Sequence, residues 1–188
     1  IHDAETAGVF ARELQLLLRT IGASHANLEK GEMRVEANIS VSKDETLGTK
    51  VEVKNLNSFR AVERAIAFEV ERQSKLLDEG GVVLQETRGW DEGGQRTFSQ
   101  RLKEGSADYR YFPEPDLPKL YRSEIPEFSD EALRASLPEL PWERRARYVS
   151  LGLTESDAVF FAGSHARSTF LDAVIGELGG DTSLLTTA

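Results

Sequence analysis

The sequence contains no cysteine, a single methionine and no long apolar run, and two of these shortages exclude classes of protein. Without cysteine the chain cannot form disulfides, thiolate zinc sites or a cysteine nucleophile. The densest apolar stretch, residues 14–18, is flanked by charges and falls well short of the roughly 18 residues that a bilayer span requires. We therefore expect no membrane-spanning segment and no thiol chemistry.

The position of the methionine bears on completeness. The chain begins at Ile1, and its only methionine is Met33. We therefore expect these 188 residues to be a fragment of a longer protein.

Positive charge is also scarce. The chain has 23 Lys and Arg residues against 32 Asp and Glu residues, which gives a net charge of −9. A protein that binds nucleic acid mainly by neutralising phosphates has the opposite balance. Any contact with RNA should therefore be local, while the 39% hydrophobic content is typical of a folded globular chain.

Two amphipathic helices are predicted in the first part of the sequence. Asp3 can cap a helix that ends near Gly22, and Ser58 can cap a longer one that ends at Gly80. Between these signals, apolar residues recur every three or four positions, as one face of a helix requires. In the second helix the predicted apolar stripe is Phe59, Val62, Ile66, Val70, Gln73 and Leu77.

Four strands are predicted around these helices. Apolar and polar residues alternate over residues 33–41 and 49–54, and residues 82–88 and 96–102 flank a turn that contains Gly93 and Gly94. Both pairs are expected to be antiparallel hairpins. No glycine-rich phosphate loop opens a helix, so the pattern argues against a dinucleotide-binding fold.

After residue 120 the signals become helical. Ser129 and Thr154 are candidate N-caps, Pro141 suits a first helical turn, and apolar residues recur from Phe170 to Leu178. We therefore predict an α+β fold, with an antiparallel sheet and flanking helices in residues 1–120, followed by a small all-α domain in residues 121–188.

Charged side chains alternate along the polar faces of the first two predicted strands. The first face carries Arg34, Glu36 and Asn38, and the second carries Lys50, Glu52 and Lys54. Such a surface can be an ordinary solvated sheet with cross-strand charge pairs. It can also be the floor of a cavity in which carboxylates hold Mg²⁺ and cations neutralise phosphoryl groups.

Two further segments suggest a site. Asn55, Asn57 and Ser58 form a polar turn before the second helix, where Ser58 suits capping and the asparagines can present amides to a ligand. Residues 108–116 form an irregular loop rich in aromatic, proline and ionisable residues, which is typical of a functional loop or a linker.

Four strings in this order carry a family resemblance: LEKGEMRVEANIS at 28–40, GTKVEVKNLNSF at 48–59, QETR at 85–88 and DYRYFPEPD at 108–116. Together they resemble the B subunits of tRNA-dependent amidotransferases, the GatB/GatE family. The resemblance implies a cradle-shaped catalytic domain followed by a helical domain. It also implies ATP and Mg²⁺ as cofactors, with an amidase subunit GatA, a small subunit GatC and aminoacylated tRNA as partners.

The reaction that the resemblance implies is amidation of an amino acid already attached to tRNA. ATP phosphorylates the side-chain carboxylate of Glu-tRNA(Gln) or Asp-tRNA(Asn), and glutamine-derived ammonia then displaces phosphate. The family's main metal ligands are expected upstream of Ile1, so this chain alone should be inactive and should bind tRNA weakly. The location implied is the bacterial cytoplasm or an organelle.

The resemblance also places functional residues on this sequence. Glu36 and Glu52 are expected to assist metal or ammonia handling, with either one a possible metal ligand, and Arg34 and Lys54 are expected to contact phosphate. Substrate or ATP binding is expected at seven further positions, namely Asn38, Lys50, Asn55, Asn57, Ser58, Arg88 and Arg110.

Three alternatives remain open from the sequence. The first is a GatE-type subunit, which shares the catalytic module. The second is a non-catalytic scaffold or tRNA-contacting module whose polar strand faces are plain surface. The third is a carboxylate-activating ligase of the glutamine-synthetase type that acts on a free amino acid.

Overall fold

A computed structural model of the chain describes residues 1–102 and 113–178. Its helices are α1 (Ala4–Thr20), α2 (Phe59–Asp78), α3 (Asp130–Ser136), α4 (Pro141–Ser150), α5 (Glu155–Ala162) and α6 (His165–Glu177). Its strands are β1 (Val35–Ile39), β2 (Val51–Leu56), β3 (Glu86–Asp91) and β4 (Arg96–Leu102). No described helix is both long enough and apolar enough to span a bilayer.

The described residues divide into two compact units. One comprises residues 1–15 and 26–102, and the other comprises residues 16–25 and 113–178. The sheet and α2 belong to the first unit, and α3 to α6 belong to the second. The predicted domain boundary between residues 120 and 121 stays a prediction.

The sheet of the first unit has the order β1-β2-β3-β4. The pairs β1–β2 and β3–β4 are antiparallel, whereas β2 and β3 run parallel. The α+β fold is thus confirmed, but the sheet is mixed and not antiparallel throughout. The reason is α2, whose 20 residues extend about 30 Å and provide the crossover connection that a parallel pair needs.

The third strand also differs from its prediction. It covers Glu86–Asp91 and not residues 82–88. Val82 and Leu84, two apolar residues expected at its start, are 73% and 58% exposed. The hairpin that follows closes on the pair Asp91 and Arg96, so the predicted turn between the third and fourth strands is confirmed.

The two ends of α2 follow from its sequence as predicted. Ser58 caps the first turn, because its hydroxyl accepts a hydrogen bond from the Ala61 backbone N–H at 3.0 Å. Gly80 follows the helix with φ +79°, in the left-handed region that glycine adopts without a steric penalty.

The buried face of α2 is rotated from the predicted apolar stripe. Val62 and Gln73 are buried as expected, but Val70 is 41% exposed, and Ala61, Ala65 and Glu69 take the interior positions. Small alanine side chains let the helix lie close to the sheet. The core beneath it contains Ala37, Ile39, Val53, Leu56 and Trp90.

The second unit packs short helices around one tyrosine. Tyr148 is fully buried among Leu153, Ala158, Ala162 and Leu171. The predicted N-caps Ser129 and Thr154 each accept a hydrogen bond from a backbone N–H of the first turn of their helix, and Pro141 opens α4.

Candidate functional site

A polar face of the sheet lies opposite the face that α2 covers. Side chains alternate along β1 and β2, so burial of Ala37 and Val53 against α2 turns their neighbours to the other side. We use the term polar face for Glu36, Asn38, Glu52, Lys54 and Thr87.

Lys54 joins two carboxylates on the polar face. Its Nζ lies 3.3 Å from Glu36 Oε1 and 3.7 Å from Glu52 Oε1. A hydrogen bond to Glu36, followed by the negative charges of Glu36 and Glu52, raises the pKa of the Lys54 ammonium group above its ordinary value. The side chain of Glu52 is the most shielded of the three, at 15% exposure against 44% for Glu36 and 39% for Lys54.

A β-bulge lies beside this ion pair. Val35 pairs with Leu56 and Ala37 pairs with Val53, so one residue of β1 faces two residues of β2. The second of these two, Asn55, has φ +64°, which asparagine tolerates better than most residues. Bulges re-aim side chains and are common next to active sites.

Thr87 extends the polar face onto β3. It pairs in register with Glu52, and its Oγ1 donates a hydrogen bond to Glu52 Oε2 at 3.0 Å. Sequence reasoning missed Thr87, although it stands in the QETR string directly before Arg88. Alternation along a strand was the available signal, because adjacent residues face opposite sides.

A groove of about 860 Å³ runs along β1, with walls from α1, α2 and residues 47–50. Four predicted site residues contribute to its lining, namely Arg34, Glu36, Asn38 and Lys50. The groove also has apolar walls, to which α1 contributes Phe10 and Leu14 and α2 contributes Ile66 and Val70.

The structure does not bring Arg88 to the polar face. Its guanidinium lies on the helix-covered face, with Nη1 2.6 Å from Glu86 Oε1 and Nε 3.0 Å from Glu69 Oε1. The same Nε donates to Thr97 Oγ1 at 2.8 Å. These contacts explain Arg88 as part of the structure, and its predicted role in substrate binding stays a prediction.

Around Arg88 the helix-covered face holds a buried network. We use this term for Glu69, Arg72, Gln73, Glu86, Arg88 and Thr97, which hydrogen-bond or pair across α2, β3 and β4. The exposed Ser99 donates a hydrogen bond to Glu86 at the edge of this network. Burial raises the pKa of Glu69, but hydrogen bonds from Arg72, Thr97 and Gln73 outweigh it, so the pKa is lowered overall.

The remaining predicted residues occupy several places. Asn57 is exposed before α2, and Ser58 serves as the helix cap. Arg34 and Lys50 are both exposed. Arg110 lies outside the described residues, as does most of the 108–116 loop.

The donor set of the polar face can be compared with what Mg²⁺ requires. Within residues 1–102 and 113–178, no three acidic or histidine side chains converge as a metal site. Mg²⁺ commonly takes only one or two protein carboxylates and completes its shell with water and phosphate oxygens. Glu36 and Glu52 supply two carboxylates, but the Lys54 ammonium group already lies between them. A metal-binding role for either one stays a prediction.

Comparison with known proteins identifies the family. The model of the GatB/GatE catalytic domain matches residues 1–125. The B subunit of the aspartyl/glutamyl-tRNA(Asn/Gln) amidotransferase of Deinococcus radiodurans is 51% identical over 97% of this chain and 37% of its own length. The corresponding protein of Thermus thermophilus is 48% identical over 93% of this chain and 37% of its own length.

An organellar relative gives the same result. The chloroplastic/mitochondrial B subunit of the glutamyl-tRNA(Gln) amidotransferase of Physcomitrium patens is 50% identical over 90% of this chain and 30% of its own length. The chain thus spans about a third of the length of the relatives it matches.

Proposed function

Because the chain belongs to the GatB/GatE catalytic-domain family, we propose that it forms part of the B subunit of a tRNA-dependent amidotransferase. In the proposed reaction, the B subunit activates the side-chain carboxylate of Glu-tRNA(Gln) or Asp-tRNA(Asn) with ATP, and the activated carboxylate is then amidated. The three relatives described above are each named as a B subunit, which favours this assignment over a GatE-type protein.

One observation carries the proposal at the level of residues. Glu36, Lys54 and Glu52 are adjacent on one face of the sheet, and all three stand in the strings that resemble the family. Phosphoryl transfer depends mainly on positioning and on neutralising charge. An ammonium group held between two carboxylates supplies both signs of charge on one rigid surface.

Each side chain has a role that its chemistry permits. The γ-phosphoryl group of ATP passes to the substrate carboxylate, ADP leaves, and ammonia then displaces phosphate to give the amide. Lys54 would contact the phosphoryl oxygens, whose negative charge its ammonium group can neutralise. Glu36 or Glu52 would help to hold Mg²⁺ together with the phosphates of ATP, and the ion would neutralise developing charge.

The partners and the location follow from the same assignment. We propose that a GatA-type amidase supplies ammonia, that a GatC-type protein completes the complex, and that aminoacylated tRNA is the substrate. With a net charge of −9, this part of the protein should contribute little to the grip on tRNA. We place it in the bacterial cytoplasm or an organelle, in agreement with the sources and names of its relatives.

The direct test replaces each carboxylate in the complete complex. Glu36→Gln and Glu52→Gln keep shape and remove charge, and amidation of Glu-tRNA(Gln) and Asp-tRNA(Asn) is measured with ATP and glutamine. We expect a drop of about 10²-fold for at least Glu52→Gln, the scale of one lost transition-state contact. Glutaminase activity of the amidase partner should persist.

The same assay separates the alternatives. If both variants amidate charged tRNA at the wild-type rate, the polar face is plain surface and the scaffold interpretation is correct. If the complex amidates free glutamate and not charged tRNA, it is a ligase of the glutamine-synthetase type.

A further inference from the structure

Three polar side chains from three neighbouring strands form a row on the polar face. Asn38 on β1 pairs in register with Glu52 on β2, and Glu52 pairs in register with Thr87 on β3. Side chains opposite each other on neighbouring strands are close enough to interact directly. The row therefore places Glu52 between two polar neighbours.

The two oxygens of the Glu52 carboxylate have different neighbours. Oε2 accepts a hydrogen bond from Thr87 Oγ1 at 3.0 Å, and Oε1 lies 3.7 Å from Lys54 Nζ. A hydroxyl on one oxygen and an ammonium group near the other select one orientation of the carboxylate plane.

Thr87 is well suited to hold this orientation. It is only 8% exposed, and its β-branched side chain has few accessible χ1 rotamers. The next residue, Arg88, is held on the opposite face by Glu69 and Glu86. The backbone that carries the Thr87 hydroxyl is thus held in place by the contacts of Arg88 on the helix-covered face.

We propose that Thr87 is a positioning residue whose hydroxyl fixes the Glu52 carboxylate with Oε1 toward Lys54. This inference rests on the proposed function, in which Glu52 is a site carboxylate. The effect of Thr87 passes entirely through Glu52.

The first test compares two substitutions of Thr87 in the complete complex. Thr87→Val removes the hydroxyl and keeps the shape, whereas Thr87→Ser keeps the hydroxyl. We expect Thr87→Val to lower kcat for amidation by about 10-fold, the scale of one hydrogen bond to a charged group. Its KM for aminoacyl-tRNA should not change, and Thr87→Ser should restore most of the rate.

A double variant shows whether Thr87 acts through Glu52. Because the two residues form one unit, their effects should not add. We expect the Glu52→Gln/Thr87→Val protein to be no slower than Glu52→Gln alone. A further 10-fold loss in the double variant would mean that Thr87 acts by another route and would overturn the inference.

A matched control removes a hydroxyl from the other side of the sheet. Thr97 bonds Glu69 and Arg88 in the buried network, so Thr97→Val should lower stability, and its effect on kcat should add fully to that of Glu52→Gln. If Glu52→Gln lowers kcat for amidation and Thr87→Val leaves it at the wild-type value, the positioning role is wrong but the proposed function still stands. If Glu52→Gln is as fast as wild type, the assigned role of Glu52 fails, and the positioning role fails with it.

Discussion

The two faces of the sheet carry the same kinds of side chain in different surroundings. On the helix-covered face, Glu69 is fully buried and Arg88 retains 13% exposure, whereas on the polar face Glu36 and Lys54 are 44% and 39% exposed. Buried charges must be compensated by the protein itself, while exposed ones remain available to a ligand. The faces therefore differ most between Glu69 and the pair Glu36–Lys54, whereas Glu52, at 15% exposure, is about as shielded as Arg88.

The difference between the two faces is tested most strongly by a substitution at the centre of the buried network. Glu69→Ala removes the nearest carboxylate of Arg72 and one of the two carboxylates of Arg88, which keeps Glu86. Losing one partner of a buried pair costs about 3 kcal/mol or more. We expect the free energy of unfolding of the 188-residue chain to fall by that amount in urea titrations. A change below about 1 kcal/mol would show that the network contributes no more to stability than an exposed ion pair does.

Removing the cation from the same network should have a smaller effect. In Arg88→Met, Glu69 keeps its bonds from Arg72 and Gln73, so only part of the compensation is lost. We expect a loss of about 2 kcal/mol, the scale of hydrogen bonds to a charged group. An Arg88→Met protein that is fully stable but has a raised KM for ATP would instead support the predicted binding role.

Lowering the pH should selectively remove the contribution of Glu69, on the helix-covered face, to the free energy of unfolding. The pKa of Glu69 is lowered in the folded state, so its contribution to stability is present above its unfolded value near 4.5 and is lost as pH falls through the folded value. We expect the stability of wild type to decline more steeply than that of Glu69→Gln below that pH. Glu139 also contributes to acid sensitivity, because hydrogen bonding from Arg147 lowers its pKa to about 2. This contribution is the same in wild type and Glu69→Gln, so the difference in stability between the two proteins isolates Glu69.

The chain offers a local probe for this experiment. Trp90 lies in the core beneath α2, and the chain has only one other tryptophan, Trp142. In a Trp142→Phe background, fluorescence during acid titration reports the first unit alone. Equal slopes for the two proteins would contradict the assigned role of Glu69.

The smallest expected stability effect is on the polar face. Glu36→Gln removes a half-exposed pair with Lys54, and such pairs contribute little because water screens them. We expect the free energy of unfolding to change by less than about 0.5 kcal/mol, as measured by urea titration. A loss as large as that of Glu69→Ala would mean that the two faces do not differ.

The sequence predicted the local elements well because their signals are local. Capping at Ser58, the glycine after α2 and the alternation in β1 and β2 depend on neighbouring residues alone. Strand pairing does not, so the parallel β2–β3 pair could not be predicted from periodicity. The run from Val82 to Leu84 is apolar and was therefore predicted as the start of a strand, but Val82 and Leu84 are exposed, only Val83 is buried, and the strand begins at Glu86.

The candidate site was predicted in part for the same reason. Glu36, Glu52 and Lys54 could be placed together because alternation and one hairpin suffice to align them. Thr87 and Arg88 depend on how the third strand meets the second, and that register comes from packing of α2. Glu69 was missed because a buried glutamate breaks the apolar pattern that marks a helix interior.

The contrast between the faces is tested most directly by the single-turnover amidation rate of the Glu52→Gln complex, measured well below its unfolding temperature. A fall of about 10²-fold with an unchanged unfolding temperature is the expected result. A wild-type rate in that protein would contradict the assignment of the polar face as the site of carboxylate activation.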